Sequence, residues 1–572
     1  MLLKACPKGF TQDLDKVCSP EETVRRVGKI LHEYDGILAE NKRIDTGRLG
    51  IPVYMSYCGP KALQLLPGRK QMGKGASAAQ AQASAIMELT ERYSFFAYWQ
   101  DTDSAVFCTW SEAKERFSTP LMPVEHILHS VGDPLDTTSA EALLDLVAWR
   151  FAPVWDLVRE REVLAPVDWF KIVNEYNGSC AGNTAEEAIL QGLCEVIERH
   201  VCAQVDAHQP DLPNIDPDSS SDPTLQDLVS AFRSAGIHFW LKDFSAGLPL
   251  PTVGALAYDP STFPETSEIV FTAGTATSPA KAAIRALTEV AQLAGDFTTK
   301  SNYEASGLSK YTALEDCAWL TQGPTQPISA LPDRSNPDIA REIRETVHLL
   351  HDQGLYAYAA DITHPELHIP AFYTFIAGCD FRERTRNPSL GLFIGRKLAE
   401  EAPLEEARVG IEILAALQPH APYISFFQGL LALRENTPEQ ALQYFTAATS
   451  LQPDEEERAL AEFYSGYAAS LLEDWETAIW HLERSLAASR SHAACNLRGV
   501  AAFKQNKYHE ARKYFEQALA EDSGSAIDLA NVGMCALRLG EPGQAMEYLQ
   551  AALERDPHIA FAQEALTELL KT

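Results

Sequence analysis

The chain has 572 residues and carries 48 lysines and arginines against 79 aspartates and glutamates, a net charge of −31. That balance argues against nonspecific binding to nucleic acid or to an anionic membrane surface. The length suits two to four domains, and neither a signal-peptide pattern nor a run of roughly 18 apolar residues is present, so a cytoplasmic protein that neither spans nor coats a membrane is expected. Eleven scattered cysteines, with no Cys-x-x-Cys pair, indicate neither a disulfide framework nor a zinc site.

In chain order, Ser19-Pro20-Glu21-Glu22 starts a helix, with serine as N-cap and proline at the first helical position. Residues 51–58 read as a strand. The run from Gly68 to Gly75 nearly matches a P-loop, but Gly75 stands where that loop needs the Ser or Thr that binds magnesium. Lys74 is therefore expected in a glycine-flanked turn before a helix, either approaching an anion or purely structural.

The helix expected over 77–98 distributes its polarity in an unusual way. At about 100° per residue, Ser84, Glu88 and Glu91 share one narrow strip, while Ala85, Ile86, Leu89 and Phe96 help to cover the remainder. An ordinary surface helix has a narrow apolar stripe and a broad polar face, so this pattern is inverted. The helix over 183–199 repeats it with Glu187, Gln191, Glu195 and Glu198, capped by Asn183 or Thr184 after the turn at Asn177-Gly178. A third helix, from Pro279, places Lys281, Arg285, Thr288, Glu289 and Gln292 on a strip about 100° wide.

Between these helices, strands are expected at 152–157, 163–170, 238–244, 252–258 and 269–273, and later at 355–362 and 369–376. A helical segment is expected at 140–147. The Pro/Asp/Ser-rich stretch 208–223 reads as an exposed loop. The result is an α+β region that ends near residue 400.

Carboxylates on a helix packed on most sides need a cationic partner, because desolvation costs several kcal/mol per ion. Local pairing with Arg199 would satisfy one such helix. Recurrence on three helices points instead to a shared site. Glu88, Glu91, Glu187, Glu195, Glu198 and Glu289 would repel one another unless hard divalent cations lay among them, and magnesium takes oxygen ligands while keeping positions for phosphates. Arg285, Arg199 and Lys281 would meet phosphate oxygens, and the amides of Asn183, Gln191 and Gln292 would fix orientation. That set suits phosphoryl transfer from a nucleotide without a P-loop. Motifs for a serine hydrolase, a zinc protease or a dinucleotide-binding turn are absent.

Beyond about residue 408 the texture becomes helical and repetitive. Gly429, Gly466, Gly499 and Gly533 are followed by Ala441, Ala478, Ala511 and Ala545, then by Phe445, Leu482, Phe515 and Leu549, at spacings of 37, 33 and 34 residues between units. This resembles tetratricopeptide repeats, small residues letting paired helices approach and large ones filling the layer between them. A surface for a protein or peptide partner is one reading; a packing or homodimerisation module is the other.

Taken together, Gly73-Lys74-Gly75, Ser84-x-x-x-Glu88-x-x-Glu91-Arg92, Gly182-Asn183-Thr184, Glu187-x-x-x-Gln191-x-x-x-Glu195-x-x-Glu198-Arg199 and Arg285-x-x-x-Glu289-x-x-Gln292 resemble the YcaO family over roughly residues 10–395. The resemblance implies an ATP- and Mg²⁺-binding α+β domain, residues 1–400, followed by an all-α repeat solenoid, residues 401–572. It implies metal ligands at Glu88, Glu91, Glu195 and Glu198, joined by Glu187 and Gln292, with Glu289 in the same strip. It implies nucleotide contacts at Lys16, Thr23, Ser84, Asn183, Gln191, Arg199 and Arg285, and it places Cys180 where some members have a serine. The implied reaction activates a backbone amide of a peptide or protein by O-phosphorylation, giving an azoline, a thioamide or an amidine according to the nucleophile. Fused repeats resemble the stand-alone bacterial branch, described as accessory to ribosomal protein methylthiolation. They would recruit the substrate or a sulfur-transfer partner; a non-catalytic ATP-binding scaffold is the alternative.

Overall fold

A computed structural model describes residues 3–34, 36–298, 308–381 and 387–571. The chain divides into two compact units, Met1–Leu390 and Gly391–Thr572. The division falls before the expected boundary near 400. The helix Leu390–Glu400 packs with its successors, since Gly395 lies against Phe427 and Leu414, and Gly410 against Leu398.

Among the described residues, three sheets build the first unit. The strands Leu38–Arg43, Val53–Cys58 and Lys70–Lys74 form an antiparallel sheet in that order. A five-stranded sheet runs Val270–Thr275, Thr252–Tyr258, His238–Asp243, Asn214–Asp216 and Thr325–Pro327, with only the last two strands parallel. The largest sheet runs Val106–Cys108, Trp149–Asp156, Tyr356–Asp361, Ala371–Ala377 and Ser179–Ala181, with Arg161–Pro166 paired to Trp149–Asp156.

Each sheet carries one helix that matters for the site. The helix Ala78–Gln100, capped by Ser77, packs on the three-stranded sheet, and Pro279–Ala294, capped by Ser278, packs on the five-stranded one. The central helix Ala185–His208, capped by Thr184, lies in a core shared by both larger sheets: Leu193, Val196 and Val201 pack with Leu256 and Phe271 on one side and with Phe372 and Ile376 on the other. That double burial is why its apolar surface extends around most of its circumference.

Three expectations are corrected. Gly73 and Lys74 belong to the strand Lys70–Lys74, not to a turn. The glycine is needed because the helix crosses the strand so closely that a methyl group at Gly73 would overlap the backbone of Ala81 and Ala85. The apolar stretch 163–170 is split: Arg161–Pro166 is a strand and Val167–Asn174 a helix, with Asp168 turned back to accept the amide of Arg150. An apolar run of that length does not by itself distinguish strand from helix. The polar stretch 208–223 contributes the strand Asn214–Asp216, which buries Ile215 and pairs in parallel with Thr325–Pro327.

Among the described residues, the second unit consists of helices alone. Helix pairs such as Glu455–Leu471 with Trp475–Ala488 and His492–Lys504 with Tyr508–Glu521 stack in succession. Gly429, Gly466, Gly499 and Gly533 lie against Phe445, Leu482, Phe515 and Leu549, the small-against-large contact expected of the repeat. Among the described residues, no helix is long and apolar enough to cross a membrane.

Candidate active site

The polar strips of the three helices face one cavity of about 540 Å³, within the range that holds nucleotide-sized ligands. Its walls include Ser84, Glu88 and Glu91 from the first helix, Glu187, Gln191, Glu195, Glu198 and Arg199 from the central one, and Arg285, Glu289 and Gln292 from the third. Lys16, Thr23, Lys74, Cys180 and Asn183 complete the candidate set that lines it.

Lys281 is the exception. Its Nζ donates to the Gln12 carbonyl and lies 3.4 Å from Asp222 Oδ2. It lines a smaller neighbouring cavity, and in the first turn of its helix it anchors the N-terminal segment rather than facing the cleft.

Glu187 differs from the other acids. Its oxygens accept hydrogen bonds from the backbone amide of Val17 at 3.1 Å, the amide of Asn183 at 3.2 Å and Asn183 Nδ2 at 3.0 Å, with Lys16 Nζ 3.4 Å away. The carboxylate thus clasps the N-terminal segment to the start of the central helix. Asn183 Oδ1 in turn accepts from Thr23 Oγ1 at 3.1 Å and from Arg26 Nη2 at 2.7 Å. Arg26 escaped the sequence reading; its signal was a position one helical turn after Thr23.

Deeper in the cleft, Glu195 Oε2 accepts from the Gly178 amide at 3.2 Å and from Cys180 Sγ at 3.5 Å, and Glu198 Oε2 accepts from the Thr275 amide at 2.8 Å. Gln191 Oε1 accepts from Arg285 Nη1 at 3.0 Å, and Lys74 pairs with Glu289. Arg92, part of the recurring Glu-x-x-Glu-Arg phrase but not singled out as a site residue, lies 3.5 Å from Glu91 with its guanidinium 4.1 Å from the Tyr176 ring centre.

The electrostatics follow from burial. Desolvation raises the Glu88 carboxyl above the usual range, Arg92 and Lys74 opposing the shift. It lifts Glu91 well above that range, with Arg92 opposing and Glu195 and Glu88 reinforcing. Arg92 is itself desolvated, but Glu91, Glu88 and Glu195 hold it protonated. Desolvation together with Arg285 lowers Lys74 to about 7. The Cys180 thiol is pushed far up by burial and by Glu91 and Glu195, so it stays protonated and acts as a donor to Glu195.

Among the described residues, no three carboxylate, thiol or imidazole groups stand close enough together to hold a metal as they are. The donor set nevertheless fits a hard cation: oxygen ligands only, with Glu88 and Glu91 destabilised in their ionised form and Glu195 adding repulsion. The cleft also fits an anion, because Arg285 Nε is buried without a hydrogen-bond partner.

Comparison with known proteins gives a consistent answer. Residues 72–380, more than half of the chain, match the family described as YcaO cyclodehydratase, ATP- and Mg²⁺-binding, and residues 496–558 match the tetratricopeptide repeat. An uncharacterised protein of Methanothermobacter thermautotrophicus is 26% identical over 401 residues, covering 63% of this chain and 94% of its own. The ribosomal protein S12 methylthiotransferase accessory factor YcaO of Escherichia coli is 28% identical over 207 residues, 33% of this chain and 35% of that protein. A heterocyclase solved in complex with substrate and cofactor shares the fold, with a TM-score of 0.53 and 23% identity over 67% of this chain and 54% of the other. The chain therefore spans about a third of the bacterial accessory factor and about half of the heterocyclase. It belongs to the YcaO family of ATP- and Mg²⁺-binding cyclodehydratases, with tetratricopeptide repeats following the family domain.

Proposed function

We propose that the first unit uses ATP to activate a backbone amide of a peptide or protein, and that the repeat unit recruits that substrate or a modification partner. The observation that carries this reading is the convergence of carboxylates from three separate helices on one cavity that also holds Arg285, Arg199 and Lys74. Glu88, Glu91, Glu195 and Glu198 are the residues to hold Mg²⁺, with Glu289 and Gln292 beside them. Mg²⁺ supplies neutralisation of phosphate charge there. Glu187, already saturated by donors of the chain, orders the segment that carries Lys16 and with it the edge of the nucleotide site.

ATP is a substrate in this reading. The amide oxygen attacks the γ-phosphorus, the bond to the bridging oxygen breaks and ADP leaves. A nucleophile then adds to the amide carbon, and phosphate departs with the former amide oxygen. Arg285 has an unused buried donor for a phosphate oxygen, Arg199 adds a second guanidinium, and Asn183 and Gln191 are held in fixed orientation by Arg26 and Arg285. Cys180 is protonated and bonded to Glu195, so the attacking group comes from the substrate or from a separate molecule.

The test is release of ADP and phosphate in the presence of Mg²⁺, with and without cell extract. Turnover that depends on an added peptide or protein supports the reading. Nucleotide binding with no turnover under any condition would overturn it in favour of a scaffold that uses ATP only as a ligand, as the accessory-factor name of the Escherichia coli relative suggests.

A further inference from the structure

The starts of the three carboxylate-bearing helices meet at one hairpin near the N-terminus. Phe10 and Lys16 face each other in an antiparallel bridge: the amides of Gly9 and Phe10 donate to the Lys16 carbonyl at 2.9 and 3.0 Å, and the Lys16 amide donates to the Phe10 carbonyl at 2.9 Å. The two arms lie so close that a methyl group at Gly9 would overlap the Val17 carbonyl. Asp13, Leu14, Lys16 and Cys18 line the large cavity, so the hairpin forms part of its wall.

The hairpin is held in an unusual way. Elements of a folded chain generally dock by burying apolar side chains. Among the residues from Pro7 to Ser19, however, Asp13 alone is buried, exposed by 3%, and Val17 only rests against the core. The anchors are polar instead. Asp13 Oδ2 accepts the Ala76 amide at 3.2 Å, next to the Ser77 cap of the helix Ala78–Gln100. Lys281, in the first turn of the helix Pro279–Ala294, donates to the Gln12 carbonyl, which also accepts from Thr224 Oγ1 at 3.4 Å. Glu187, in the first turn of the central helix, accepts the Val17 amide. At the base of the hairpin, Lys8 Nζ lies 2.7 Å from Asp15 Oδ2 and 2.6 Å from Glu342 Oε1. Burial pushes the Asp13 carboxyl up, and the amides of Leu14 and Ala76 and the charge of Lys281 oppose that shift.

We infer that Asp13 and Lys281 are positioning residues for the nucleotide: they pin the tip of the hairpin to the starts of the first and third helices and thereby hold Lys16 in the cleft. A segment with few buried apolar contacts opens locally at low cost. A site complete only with the hairpin closed binds more weakly as the closed state is depopulated, and release of either tip anchor depopulates it. The two anchors hold one body, so loss of one loosens the other. The arrangement explains why Lys281 belongs to a polar strip yet faces away from the cavity. The inference rests on the reading of the cleft as a nucleotide site and is independent of turnover.

The test is calorimetric titration of the full chain with AMPPCP, an ATP analogue that resists hydrolysis, and Mg²⁺, together with hydrogen exchange and melting of the nucleotide-free chain. Lys281→Met and Asp13→Ala are each expected to weaken binding at least tenfold while the melting temperature stays within about 2 °C of the wild-type value. In Lys281→Met the segment around Ala76, at the opposite anchor, should exchange faster; Lys281→Arg, which keeps a donor, should restore both affinity and protection. Unchanged affinity in either variant would overturn the inference, and a lowered melting temperature alone would leave the anchors with a structural role only. Weaker binding by Lys281→Met with tighter binding by Asp13→Ala and unaltered exchange around Ala76 would overturn it as well, since that is the signature of a direct phosphate contact. A wild-type chain that binds no nucleotide would overturn the reading of the cleft, and the inference with it.

Discussion

Under the proposed reading, Glu91 sets function against stability. Its carboxyl is pushed well above the ordinary range by desolvation and by the acids around it, so its ionised form opposes folding in the absence of a cation. Glu91→Gln keeps the shape and removes the charge. It is expected to raise stability by about 1 kcal/mol in the absence of nucleotide and to lower Mg·ATP affinity tenfold or more. Chemical denaturation with and without Mg·ATP, together with calorimetric titration, would read both changes; an unchanged affinity would remove Glu91 from the ligand set. Glu187 marks the limit of reading residues one at a time. Its place in the strip was visible in the spacing, but two of its partners, Val17 and Lys16, come from a segment about 170 residues away in sequence, and no helical projection could reveal them.

At the scale of elements, the three inverted helices were legible because burial on most sides leaves a signature in a single sequence. Each is capped by a hydroxyl side chain, Ser77, Thr184 or Ser278. Less legible was the reason for Gly73. The strand Lys70–Lys74 must pass directly under the helix Ala78–Gln100, and glycine is what permits it. Gly73→Ala is expected to cost roughly 3 kcal/mol by overpacking and to weaken nucleotide binding, since it displaces the helix that carries Ser84, Glu88 and Glu91. Gly28→Ala is the contrast. It lies within the helix Pro20–Glu33 with nothing near the added methyl, and it should stabilise by about 1 kcal/mol through helix propensity. Thermal melts of the two variants check the pair.

Across the whole molecule, stability depends on groups far from the cleft. His126 is buried on the helix Val124–His129, its Nδ1 2.6 Å from the Tyr358 hydroxyl and its ring stacked on Tyr356 at 3.8 Å. Desolvation, assisted by Arg159, lowers it to about 4. Between its unfolded value of about 6.5 and that folded value, the unfolded chain takes up a proton that the folded chain refuses, so stability falls as pH falls through this window. The lowered proton affinity of His126 implies a loss of about 2 kcal/mol between pH 7 and pH 5, read from denaturation midpoints and flattened in His126→Gln.

Sequence alone determined the repeats, the three polar strips and the order of the family motifs, because helical period and repeat spacing are local properties of the chain. Tertiary structure decided which donors of the chain each acid already holds, why Lys281 faces away and where the first unit ends. Those outcomes depend on partners distant in sequence, and spacing carries no record of them.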